Sequence, residues 1–146
     1  MEKNKIIKPV GITLLCIYAA IMIYLMLFMR GQTNYYRYNL IPFTTVFEMI
    51  SKFRSGGRST AVINLVGNVI MFVPLGFLVP FAFKIQRKLY RTLLLSFTAI
   101  FIMETVQFFA RLGSFDVDDI ILNLTGVLIG YLCFRVIKKI IGRRKS

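Results

Sequence analysis

The chain has no histidine and only two cysteines in 146 residues. Cys16 and Cys133 both lie inside apolar runs, so neither a disulfide framework nor a zinc site is indicated. As small hydrophobes they need no further role. Acidic residues are scarce as well, six against 19 basic ones, which leaves a net charge of +13. Also missing are a Walker loop, a GxSxG elbow, a His–Cys arrangement and any internal repeat. Nucleotide hydrolysis through a P-loop and the common serine and cysteine hydrolase chemistries are therefore not indicated.

What the chain has in excess is apolar surface. Hydrophobic residues make up 57% of it and the mean hydropathy is +0.69. A soluble domain of this size needs a proportionally larger polar shell than that leaves. The positive charge could suggest nucleic acid, but the Lys and Arg residues collect between long apolar runs instead of lining one amphipathic face. Membrane topology accounts for that distribution and nucleic-acid binding does not.

A membrane span needs about 20 mostly apolar residues, since the hydrocarbon core is roughly 30 Å thick and a helix rises about 1.5 Å per residue. Four stretches qualify: Val10–Met29, Ala61–Phe83, Thr92–Ala110 and Ile120–Ile141. The reading is an all-α polytopic membrane protein, one domain over residues 1–146. The first run is too long for a signal-peptide h-region and lacks a small-x-small exit, which favours an uncleaved anchor.

Basic residues set the orientation. Placing both termini and the second connection on one side gives that side 13 Lys and Arg, from Lys3, Lys5 and Lys8 through Lys84–Arg91 to Arg135–Lys145. The other side keeps six: Arg30, Arg37, Lys52, Arg54, Arg58 and Arg111. The bias predicts cytoplasmic N- and C-termini.

With that orientation the polar residues inside the spans acquire depths. Asn64 and Asn68 share a face at the outer end of the second span. Glu104, Gln107 and Arg111 follow at i, i+3 and i+7 on the third, with Glu104 roughly 9 Å below the outer boundary. Asn123 opens the fourth, just inside an acidic hairpin at Asp116, Asp118 and Asp119. All of these fall in the outer half, and the inner halves read as almost purely apolar. A carboxylate within a span is costly and marks a functional site by default, with Arg111 or Arg58 as the expected partner of Glu104. The bland reading makes the amides interhelical hydrogen-bond glue and lets Asp118 or Asp119 cap the fourth helix. Three aspartates with Glu104 nearby would also suit a hard divalent cation such as Mg²⁺ or Ca²⁺, although no established metal-binding spacing is present.

Other marks are architectural. Gly126 and Gly130 form a GxxxG pair for close contact with the second or third span, and Gly67 is placed to admit a neighbour. Pro74 and Pro80 predict a kink in the second span. After Pro42, the residues Phe43, Val46, Phe47, Ile50 and Phe53 recur at helical spacing, which predicts a short helix on the outer interface or a lid over the polar cluster. Ser55–Gly57 would then make a flexible turn.

Taken together, several blocks resemble the VanZ-like family: Asn39-Leu-Ile-Pro42-Phe43, Asn64-Leu-Val-Gly67-Asn68 continuing through Phe72-Val-Pro74-Leu-Gly76, Glu104-Thr-Val-Gln107, and Arg111 followed by Asp116-Val-Asp118-Asp119 and Asn123-Leu-Thr-Gly126. They occur in the family's order and spacing over roughly residues 15–135. The resemblance implies a bacterial membrane protein of a family named for a member associated with low-level teicoplanin resistance in Gram-positive bacteria. Its motif residues map onto Asn39, Asn64, Asn68, Glu104, Gln107, Arg111, Asp116, Asp118, Asp119 and Asn123. Three functions are compatible with the pattern. The cluster, with Arg58 and Arg111, could bind a lipid headgroup, a lipid-linked wall precursor or a lipoglycopeptide. It could be an enzyme acting on a lipid-linked phosphate or sugar, with Glu104, Asp116 or Asp119 as general base and the remaining carboxylates holding a cation. It could be a proton-coupled carrier, which four short helices would support only as an oligomer.

Overall fold

Inside hydrocarbon a backbone N–H or C=O has no water to turn to, so an apolar run satisfies its own groups as a helix. The computed structural model describes residues 2–28, 36–54 and 58–143, with side chains for 8–25, 36–54 and 65–143. Its elements are α1 (Glu2–Phe28), β1 (Tyr38–Asn39), α2 (Thr44–Arg54), α3 (Arg58–Ala82), a 3-10 turn at Lys84–Arg87, α4 (Leu89–Phe109), β2 (Phe115–Asp116) and α5 (Val117–Arg143). Four of the helices, α1, α3, α4 and α5, are long and apolar enough to cross a membrane. The protein is an all-α polytopic membrane protein, with one two-residue parallel strand pair, β1 with β2, added to the expected helices.

The centre is the contact between α3 and α5. A Cβ on Gly126 would stand 2.1 Å from the Val69 carbonyl oxygen, and one on Gly130 would stand 2.0 Å from that of Val73. From the opposite side, a Cβ on Gly76 would stand 1.9 Å from the Val127 oxygen. Glycine is required because the two backbones touch directly. Close approach of this kind lets van der Waals packing hold helices together where no hydrophobic effect can. The expected GxxxG partner is therefore the second span. Gly67 is different: among the described residues nothing lies within 4 Å of where its Cβ would be, so it admits none of them.

Helix α4 lays the row Thr92, Ser96, Ile100, Glu104 and Gln107 against this pair, all of them buried. The spacing of four, four, four and three residues is one face of a helix. Phe72, Ile100, Ile120 and Val127 form the buried apolar cluster where the three helices meet. Helix α1 is peripheral: it meets α3 near Gly11, and its Tyr18 hydroxyl donates to the Met71 carbonyl at 3.1 Å. Helix α3 runs unbroken through Pro74 and Pro80.

Two expectations change here. The acidic segment is no hairpin. Asp116 ends β2, and Asp118 and Asp119 sit in the first turn of α5, which begins at Val117 and not at Ile120. Nor is the inner half purely apolar. Thr92 and Ser96 are fully buried there, Thr92 Oγ1 donates to the Gln86 carbonyl, and the Tyr131 hydroxyl donates to that of Arg87 at 2.8 Å. Ser55–Gly57, the expected flexible turn, lies outside the described residues.

Candidate functional site

Three polar residues share one level. On α4, Glu104 lies four residues beyond Ile100. On α5, Asn123 lies four before Val127. On α3, Asn68 lies four before Phe72. Four residues is about one turn, so each lies one turn from a cluster residue toward the same end of the bundle; on α5 the cluster continues past Asn123 to Ile120. The next turn adds Gln107 on α4 and Asp119 on α5. The Asn68 side-chain amide donates to Asp119 Oδ1, which ties α3 to α5 at this end. Glu104 is 1% exposed, and Gln107 and Asn123 are equally withdrawn from the surface. Among the described residues, Gln107 Oε1 and Asn123 Oδ1 accept no hydrogen bond. Two buried amide oxygens facing no donor make an unusual feature, because buried acceptors normally have partners. The side chains of Asn64 and Arg58 lie outside the described residues.

Asp116 and Asp118 do something else. Asp118 is wholly buried and reaches across to the start of α2, where it accepts from the backbone N–H of Phe43, of Thr45 at 2.8 Å and of Val46 at 3.2 Å. The first N–H groups of a helix have no partner within it, and a carboxylate there also meets the positive end of the helix dipole. Asp118 is thus the N-terminal cap of α2, supplied from 72 to 75 residues away. Asp116 caps α5 by accepting the N–H of Asp118 at 2.9 Å. It also accepts the Thr45 hydroxyl at 2.6 Å and the Asn39 amide at 3.2 Å. The capping of the last helix, expected from Asp118 or Asp119, comes from Asp116. Asn39 completes the clasp: its amide donates to Thr45 Oγ1 at 3.0 Å, and its oxygen accepts the Ile41 N–H at 3.1 Å.

This clasp holds residues 36–54 on the polar end of the bundle. Phe43 adopts φ 68°, a left-handed conformation that costs a bulky residue energy, and its N–H is one of those taken by Asp118. Helix α2 buries none of its residues, and Phe47, at 69% exposure, stands with Leu40, Ile41, Phe43 and Ile50 on the outside. In a membrane protein that apolar row meets lipid at the interface.

Arg111 also departs from its expected place. Helix α4 ends in a Schellman motif: Leu112 N–H donates to the Gln107 carbonyl and Arg111 N–H to that of Phe108. Arg111 occupies the left-handed position at φ 56°, where glycine is usual. It therefore leaves the buried Glu104–Gln107 face. Its guanidinium is exposed at the rim, 4.9 Å over the Tyr36 ring, a cation–π geometry. A non-glycine residue held in this conformation is strain of the kind that gathers at functional sites.

The sequence-selected residues thus fall into three groups: an interior layer (Asn68, Glu104, Gln107, Asp119, Asn123), a clasp (Asn39, Asp116, Asp118) and a rim cation (Arg111). Among the described residues no three His, Cys, Asp or Glu side chains converge as a metal ion would require. Sequence reasoning missed Thr45, the hub of the clasp, and Tyr36 beneath Arg111. The signal for Thr45 was present, since Thr44-Thr45 follows Pro42 at the start of an amphipathic run.

A model of the VanZ/LLP1 family matches residues 14–138. The chain is 30% identical over 142 residues to protein VanZ of Enterococcus faecium, an alignment that covers 90% of this chain and 78% of that relative. No solved structure matches. The buried layer, the clasp and the rim arginine all lie inside the matched region, and the chain belongs to the VanZ/LLP1 family.

Proposed function

We propose that the protein resides in the bacterial cell membrane with both termini cytoplasmic, and that its polar end faces outward and binds the head of an envelope lipid. The head belongs to a lipid-linked wall precursor or a lipoglycopeptide, and binding it contributes to low-level resistance against glycopeptides of the teicoplanin kind. The observation that carries this reading is the pair of buried acceptor oxygens, Gln107 Oε1 and Asn123 Oδ1, in one layer with the Glu104 carboxylate. Acceptors without donors among the described residues suit hydroxyl, amide or ammonium donors on a ligand, as found on sugars and peptides. Arg111 at the rim suits a phosphate or a peptide carboxylate. Family membership supports the link to glycopeptides.

The enzymatic reading keeps one observation in its favour, the carboxylate of Glu104 deep in a span, which could serve as a general base. Asp116 and Asp118 contribute less to it, since both are committed to the clasp.

Two measurements test the proposal. Mass spectrometry of lipids co-purified with the full chain is expected to find a glycosylated or peptide-bearing lipid that the Asn123→Ala variant loses. Purification with bulk phospholipid alone, in both proteins, would sink the reading. In a susceptible host, Glu104→Gln is expected to abolish the gain in teicoplanin tolerance, and unchanged tolerance would count against binding and catalysis alike.

A further inference from the structure

The opposite end of the bundle carries a second feature. Near it α1 and α3 come close together: a Cβ on Gly11 would stand 2.9 Å from Ala82 Cα and 3.0 Å from the Phe81 ring. Lys8, one turn nearer the end of α1, is thereby brought to the 3-10 turn at Lys84–Arg87. Lys8, Lys84 and Arg87 line a cavity of about 330 Å³ whose other walls are Phe81, Ala82, Phe83 and Ile85. Among the described residues no acidic one lines it. Of the six acidic residues in the chain, Glu48, Glu104, Asp116, Asp118 and Asp119 belong to the far half, and Glu2 alone belongs to this end.

A structural account covers part of this. The last carbonyls of α3 attract cations, and Arg87 Nε lies 3.5 Å from the Pro80 carbonyl oxygen. That explains Arg87. It does not explain Lys8, which arrives from a different helix through a contact that only a glycine allows. Lys88 and Arg143, by comparison, are exposed.

We propose that this cavity binds one phosphodiester headgroup of an anionic phospholipid, its phosphate between Lys8, Lys84 and Arg87 and its first apolar atoms against Phe83 and Ile85. Basic pockets between spans at the cytoplasmic face suit such headgroups. Their phosphate chemistry is shared with free inorganic phosphate, but the apolar walls favour the lipid. The site rests on the cytoplasmic orientation proposed above, but not on what the opposite end binds.

Native mass spectrometry of the full chain in detergent tests it, with phosphatidylglycerol, phosphatidylcholine and inorganic phosphate as probes. The wild-type chain is expected to hold one phosphatidylglycerol in preference to phosphatidylcholine. The Lys8→Gln/Lys84→Gln/Arg87→Gln variant is expected to lose about 100-fold in affinity, roughly fivefold per cation. A Lys88→Gln/Lys139→Gln/Arg143→Gln variant removes the same charge elsewhere on that end, including Lys139 from the hollow it lines with Arg135 and Lys138, and should stay within about twofold. Equal losses in the two variants, or equal binding of the two lipids, would overturn the proposal. Displacement of the lipid by inorganic phosphate would reassign the cavity to the free anion and overturn its lipid form. Unchanged melting of both lipid-free variants would show that the fold is intact, since Lys8, Lys84 and the three control residues are exposed.

Discussion

Asp118 and Glu104 are both carboxylates, both buried, both at the same end of the same bundle, yet they serve different ends. Asp118 faces backbone N–H groups of a distant segment, and its charge helps to fold residues 36–54 onto the bundle. Glu104 faces the interior one turn from Ile100, in one layer with amide oxygens that accept no hydrogen bond among the described residues. The difference teaches that burial alone does not identify a functional acid. What distinguishes the two is the company each keeps: backbone N–H groups of a distant segment around Asp118, and a layer of span side chains around Glu104.

The comparison can be broken in order of expected effect. The largest lies beneath both regions, at the joint that sets their geometry. Gly130→Leu would push a side chain into the α3 backbone and is expected to cost more than about 3 kcal/mol, read as loss of a cooperative thermal transition in detergent. Asp118→Ala comes next. Removing three charge-assisted bonds should cost about 2–3 kcal/mol and free residues 36–54, visible as fast amide exchange at Thr45 and Val46. Glu104→Gln should do the reverse, with stability held within about 1 kcal/mol and teicoplanin tolerance lost. If Asp118→Ala abolished tolerance with no change in amide exchange, the separation of clasp from interior would fail.

Smaller effects sharpen the division. In Arg111→Gly, relief of the left-handed strain, about 1 kcal/mol, is nearly offset by loss of the Tyr36 stack, about 0.5–1 kcal/mol. Melting should therefore barely move while binding of an anionic headgroup weakens. Gly67→Ala should change stability by less than about 0.5 kcal/mol, because the space beside it is open.

The spans were legible because a 20-residue apolar run has few alternatives to a membrane helix. Their ends were less so. Asp118 and Asp119 look like a polar break before α5, yet they form its first turn, because Asp116 caps it. Gly67 and Gly130 read alike as small residues on a helix, and only the partner backbone tells them apart. The helical period carried Arg111 onto the Glu104 face, whereas its left-handed backbone turns it outward. Thr92 and Ser96 passed as ordinary span residues, although they lie on the buried stripe of α4. The clasp was illegible for a plainer reason. It joins Asn39 to Asp116 across 77 positions, and no local pattern reports such a pairing.

That separation imposes an order on assembly. Synthesis delivers the amino-terminal part first, so the segment carrying Asn39 and Thr45 is made before Asp116 and Asp118 exist. It must wait, uncapped, until the last helix has been inserted. The clasp on residues 36–54 is thus the final joint to close, and a chain arrested before α5 would keep its earlier spans with the start of α2 uncapped.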